Sequence, residues 1–201
     1  MHFGIYKNGS PNITLLKAEW MNIVNLKNSV VYHQDKDVDL CGILLNRLKF
    51  KEMTQNPIII VTPDNVALPD TKLIELTSFE EVFIMGFPEG LTDNKTGLLL
   101  IRNGITAYHP GIDFNGKSMG LLDVTSYPWS SGSPVLIFNQ GSIPTQNGII
   151  IGSRSIFLWV LIGYSHGSNE IQRADNHLGG YVKAKALEGL KAETLKHLPI
   201  K

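Results

Sequence analysis

The sequence predicts an all-β domain closed by a C-terminal helix. Strand-sized runs of Val, Ile, Leu and aromatic residues recur along most of the 201 residues, and clusters of Gly, Asn, Asp, Ser and Pro separate them. Helical spacing emerges only from Lys185 on, where Ala186, Leu187, Leu190, Leu195 and Leu198 are interleaved with Glu and Lys. A hydrophobic content of 43% is ample for the core of one ordinary domain or two small ones.

Taken in order, the expected strands are His2 to Tyr6, Ile13 to Glu19, Ser29 to His33, Leu40 to Leu45, Val82 to Phe87 and Gly97 to Tyr108. Ser118 to Asp123, Pro134 to Phe138, Ile156 to Tyr164 and Gly180 to Lys183 follow. Asn8-Gly9 and Asn115-Gly116 are hairpin-turn signals, because both residue types tolerate a positive φ. Asn46 to Phe79 carries Pro57, Pro63 and Pro69 and reads as a crossing connection with room for a short strand such as Ile58 to Val61. The terminal helix is expected over Ala184 to Leu198, and only the C-terminus looks helical.

Charge and cysteine content exclude several function classes. Lys plus Arg and Asp plus Glu balance at 18 each, so no field of one sign invites nucleic acid or an anionic membrane. Cys41 is the single cysteine, which excludes an internal disulfide framework and a cysteine-based zinc site. No cofactor motif is present. The longest apolar run, Ile156 to Ile162, is strand-sized and too short to span a bilayer. The start of the chain lacks the cationic and apolar regions of a signal peptide, so a cytoplasmic location is expected for the chain as written.

The run with chemical content is Leu121-Leu122-Asp123-Val124-Thr125-Ser126-Tyr127-Pro128-Trp129-Ser130-Ser131-Gly132-Ser133-Pro134-Val135-Leu136. Small residues after a serine let the backbone pass close to a bound peptide, and main-chain N–H groups there can converge on a developing oxyanion. Position by position, this run resembles the nucleophile segment of bacterial trypsin-like (chymotrypsin-fold) serine peptidases. In that family an aspartate stands eight residues before the nucleophile and the loop reads Pro-Gly-x-Ser-Gly-Ser/Gly-Pro-Val/Leu. Met85 to Leu91 is similar to the segment that opens the family's second barrel. Arg102 to Ile105 is similar to the next strand, Leu161 to Ser165 to the cleft strand, and Leu178 to Val182 to the last strand.

The resemblance implies two antiparallel six-stranded-type β-barrels, the first incomplete. Residues 1–50 would form the remainder of the first barrel, 51–79 the connection, 80–184 the second barrel and 185–201 the terminal helix. It implies Ser131 as nucleophile and the Trp129 and Ser131 N–H groups as oxyanion donors. Thr125 would floor the pocket for the side chain before the scissile bond, with Gly163, Tyr164, Ser165 and Gly180 as its walls. Asp37-Val38-Asp39-Leu40 resembles the stretch that carries the triad acid, which assigns that role to Asp39, with Asp37 as the fallback. The partner implied is a polypeptide substrate or a peptide ligand, with no nucleic acid, membrane or cofactor.

Three departures qualify the resemblance. No Thr-Asn-x-His segment precedes Asp39, so the catalytic histidine is missing from its place. His2 and His33 do not fit as bases, His166 follows the cleft strand as a loop residue, His109 lies in the second half, and His177 and His197 read as surface residues. Trp129 stands where the family has an oxyanion glycine. Ser130 stands where zymogen-maturing members carry an aspartate that binds a freed N-terminal amine. The expectation is therefore a peptidase domain inactive as this chain, lacking the first strands of its first barrel and prone to oligomerise through exposed strand edges. The alternative is a non-catalytic peptide-binding protein on the same scaffold.

Overall fold

Alternating burial builds the main body. Val82 and Ile84 of one strand, and Val135 and Ile137 of another, point inward while their neighbours point out. A computed structural model describes residues 2–4, 18–20, 26–44, 68–125, 127, 129–163 and 177–196. In chain order these contain β1 (His2–Gly4), β2 (Ala18–Trp20), α1 (Leu26–Ser29), β3 (Val30–Tyr32), β4 (Cys41–Ile43) and α2 (Asp70–Leu73). Then come β5 (Glu81–Gly86), β6 (Leu100–Thr106), β7 (Met119–Asp123), β8 (Pro134–Thr145), β9 (Gly148–Ile162), β10 (Leu178–Lys183) and α3 (Ala186–Lys196).

Strands β5 to β10 close into one antiparallel barrel in the order β10-β7-β6-β5-β8-β9. The first four follow the Greek-key arrangement, with β5, β6 and β7 as neighbours and β8 returning beside β5. Inside lie Val82, Ile84, Leu122, Val124, Val135, Ile137, Ile156, Leu158, Leu161 and Tyr181, with Leu73 and Leu76 packed against them. Each such side chain contributes about 1.5–3 kcal/mol by leaving water. The remaining described strands form two two-stranded sheets, β1–β2 and β3–β4. A second cluster joins the β3–β4 region to the barrel's outer wall, where Val38 and Leu40 pack with Trp159, Val182 and Ala186.

The barrel strands fall where the sequence places them, with two exceptions. β8 runs past Phe138 to Thr145, and β9 starts at Gly148 rather than Ile156. The two strands stay paired from Phe138↔Ser155 to Thr145↔Gly148, beyond their contacts with β5 and β10. This ribbon is turned by Gln146-Asn147, and Gln146 Nε2 donates to the carbonyls of Ile74 and Leu76 at 3.0 and 3.1 Å. Ladder hydrogen bonds rather than a buried face hold it, and Ile149, Ile150 and Ile151 are exposed.

Helix is not confined to the C-terminus, since α1 and α2 are single turns. The terminal helix is α3, within the expected span. Asn115 and Gly116 do take positive φ (52° and 70°), but in the longer β6–β7 connection rather than a two-residue hairpin. Asn8-Gly9 and Ile58 to Val61 lie outside the described residues. Among the described residues no helix is long and apolar enough to cross a membrane.

Candidate functional site

The Ser131 loop leaves β7 at Asp123 and enters β8 at Pro134. Within it Ser130 N–H donates to Tyr127 O at 3.2 Å and Ser133 N–H to Ser130 O at 3.1 Å. Two further bonds fasten it to β9: Gly132 N–H to Leu161 O and Leu161 N–H to Ser133 O, both 2.8 Å. Below the loop, a Cβ on Gly86 would lie 2.1 Å from Ser133 Oγ, so only glycine lets β5 pass this close. That gives a physical reason for the Gly-Phe-Pro segment at 86–88.

Trp129 has φ +69° and Gly132 φ +85°. A left-handed conformation costs a bulky residue roughly 1–2 kcal/mol, and such strain persists only where the surroundings over-determine it. The ring of Trp129 lies in solvent, 81% exposed, so ring burial does not compensate. Among the described residues neither the Trp129 nor the Ser131 N–H has an acceptor.

The brace comes from β6. Arg102 Nη1 donates to Thr125 O at 2.7 Å, and Nη2 donates to Ser130 Oγ at 3.2 Å. Its guanidinium also stands 5.3 Å from the centre of the Tyr127 ring. Burial lowers the Arg102 pKa from its ordinary value and Tyr127 opposes the shift, yet a guanidinium stays charged at any physiological pH. Among the described residues no carboxylate pairs with it.

Three adjacent strands bring the expected pocket positions to one end of the barrel. Leu178 pairs with Asp123, and Gly180 pairs with both Leu121 and Ile162. Thr125 follows β7, Gly163 follows β9, and Gly180 is buried in β10. Tyr164 and Ser165 lie outside the described residues. The register adds His177: its carbonyl accepts from Val124 N–H at 2.8 Å, and its Nδ1 and Thr125 Oγ1 share a hydrogen bond of 3.1 Å. His177 is exposed, as a surface residue would be, yet the β7–β10 pairing sets it beside Thr125.

The described imidazoles do not reach Ser131. His33 Nδ1 accepts from Asp35 N–H at 3.1 Å, and its Nε2 faces α3 where a Cβ on Gly189 would sit 2.4 Å away. His109 Nδ1 accepts from Gly111 N–H at 3.0 Å, which leaves Nε2 to donate to Leu76 O at 3.1 Å. The His2, His166 and His197 side chains are outside the described set. Among the described residues nothing hydrogen-bonds the exposed Ser131 hydroxyl.

Asp39 lies in the turn before β4. Leu40 N–H donates to Val38 O at 2.8 Å across it, and the carboxylate is exposed and accepts no hydrogen bond among the described residues. Asp37 is exposed too, its N–H donating to Asp35 Oδ1 at 2.9 Å. No group of three or more His, Cys, Asp or Glu among the described residues could hold a metal ion.

Compared with known proteins, the chain matches no family model, no curated protein and no solved structure.

Proposed function

We propose that this chain is a serine peptidase domain of the trypsin-like type. Ser131 is its nucleophile, the Trp129 and Ser131 N–H groups its oxyanion donors, and Asp39 its triad acid. Residues 80–184 form the second of two barrels, the first being built around β1 to β4. The observation that carries this reading is the loop's backbone: Trp129, where the family has glycine, holds a positive φ at a strain cost, two residues before Ser131.

In this reading Ser131 Oγ attacks the carbonyl carbon of the scissile bond, and its proton passes to an imidazole that Asp39 orients. No Thr-Asn-x-His segment precedes Asp39 and no described imidazole takes that place, so the chain as given carries the nucleophile and the acid without their base and is inactive by itself. The oxyanion is held by the Trp129 and Ser131 N–H groups, the amine leaves with the proton, and water releases the acyl group. With Thr125 and no carboxylate on the pocket floor, Lys and Arg are not selected and a small or apolar side chain is preferred.

The unpartnered Ser131 hydroxyl favours a second reading, in which the scaffold binds an extended peptide along Ile162 to Ser165 without cleaving it. A fluorophosphonate probe separates the two. Covalent labelling that disappears in Ser131→Ala is the expected result for the peptidase once its base is supplied. An unlabelled chain that binds peptides equally well with and without the Ser131 hydroxyl would establish the binding protein instead.

A further inference from the structure

The inner face of β6 is unusual for a barrel of aliphatic residues. Its inward positions are Arg102, Gly104 and Thr106. Thr106 serves the far end, accepting Glu80 N–H and donating to Ser78 O, each at 2.8 Å. Gly104 has no room for a side chain, since a Cβ would meet Asp123 O at 2.6 Å. Arg102 is left at the near end, where its planar fork spans the two halves of the Ser131 loop: Thr125 before the turn and Ser130 beside the nucleophile. Ser130 is 1% exposed, so its hydroxyl makes this bond out of water.

Ser130 also occupies the position at which zymogen-maturing peptidases carry the aspartate that captures a freed amine. The two arrangements are electrically parallel. A cation meets the residue before the nucleophile in each, but here the cation belongs to a strand and the residue is neutral. We propose that Arg102 is the positioning residue of the Ser131 loop, holding Trp129 in its left-handed conformation from within the barrel. The significance of that shape rests on the peptidase reading above; the brace itself does not.

Amide hydrogen exchange tests it without requiring activity, read at Ser130, Gly132 and Ser133, whose N–H groups are bonded in the closed loop. In Arg102→Met these amides are expected to exchange at least about tenfold faster, since hydrogen bonds from a charged donor are lost. Those of β5 and β8 should stay within about twofold. Arg102→Lys, with a point charge and no fork, should restore only part of the protection. Unchanged loop exchange in Arg102→Met overturns the proposal, as does acceleration spread equally over β6 and β7. If Arg102→Met does not fold, Ser130→Ala removes one acceptor, and a loop as protected as the wild type then overturns it. Absence of fluorophosphonate labelling would sink the peptidase reading and leave these exchange results standing.

Discussion

The Ser131 loop and the Asp39 turn are held in different ways. The loop is fastened to three barrel strands, by Leu161 of β9, Arg102 of β6 and the close approach of Gly86 of β5. The Asp39 turn is held by bonds among its own neighbours, His33 to Leu40, Val38 to Asp35 and Leu40 to Val38. Val38 and Leu40 pack it against the cluster around Trp159 and Val182 on the barrel. The shape of the Ser131 loop is thus a property of the barrel, whereas the place of Asp39 is a property of a segment laid on its outside.

The largest effect that could break this contrast is Leu122→Ala. Leu122 is fully buried in the barrel, so its truncation should cost about 2–5 kcal/mol in urea unfolding and loosen the Ser131 loop with the barrel. Leu40→Ala, at a half-buried site, should cost about 1 kcal/mol and raise amide exchange only in residues 26–44. Equal losses would show barrel and segment to be one cooperative unit.

A smaller effect sharpens the loop's side of the comparison. Trp129→Gly removes the left-handed penalty and adds some unfolded-chain entropy, for a net gain of about 0.5–1 kcal/mol in thermal or urea unfolding. A loss of stability would mean that the exposed ring makes contacts that matter.

The pH-dependent effect concerns Asp113, near the entry to β7. Burial by itself would raise its pKa, but hydrogen bonds from Lys185 and Lys183 outweigh that and hold it below 3.8. A depressed folded-state pKa means the stabilisation is complete above the unfolded value and is lost as the pH falls through the folded one. The stability gap between wild type and Asp113→Asn, on the order of 1–3 kcal/mol because the substitution leaves the fully buried Lys183 without its counter-charge, should therefore be widest near neutrality and shrink below about pH 4. A gap that grows on acidification would reverse the assignment.

The sequence made the barrel strands legible because each carries apolar residues that the interior demands. Residues 139–155 carried no such signal. Their ribbon buries little, and Asn139, Gln140, Gly141, Ser142, Gly152 and Ser153 read as loop although they form a ladder. Single helical turns such as α1 and α2 are too short to display a period. At the site, Ser131 and Thr125 were visible through a contiguous motif. Arg102 was legible only as part of a strand and His177 only as a surface residue, because what unites them with Thr125 is strand register.

Trp129 carries one more consequence, an optical one. Its indole stands in water on the Ser131 loop, whereas that of Trp159 is buried in the cluster with Val38 and Leu40. Of these two rings the loop's should emit further to the red and be reached sooner by a quencher such as acrylamide, and any chain seated across Ser131 should shield it. Trp129→Phe isolates its signal from that of the third tryptophan, Trp20. The residue that strains the backbone is therefore a native fluorescent reporter of occupancy at the site.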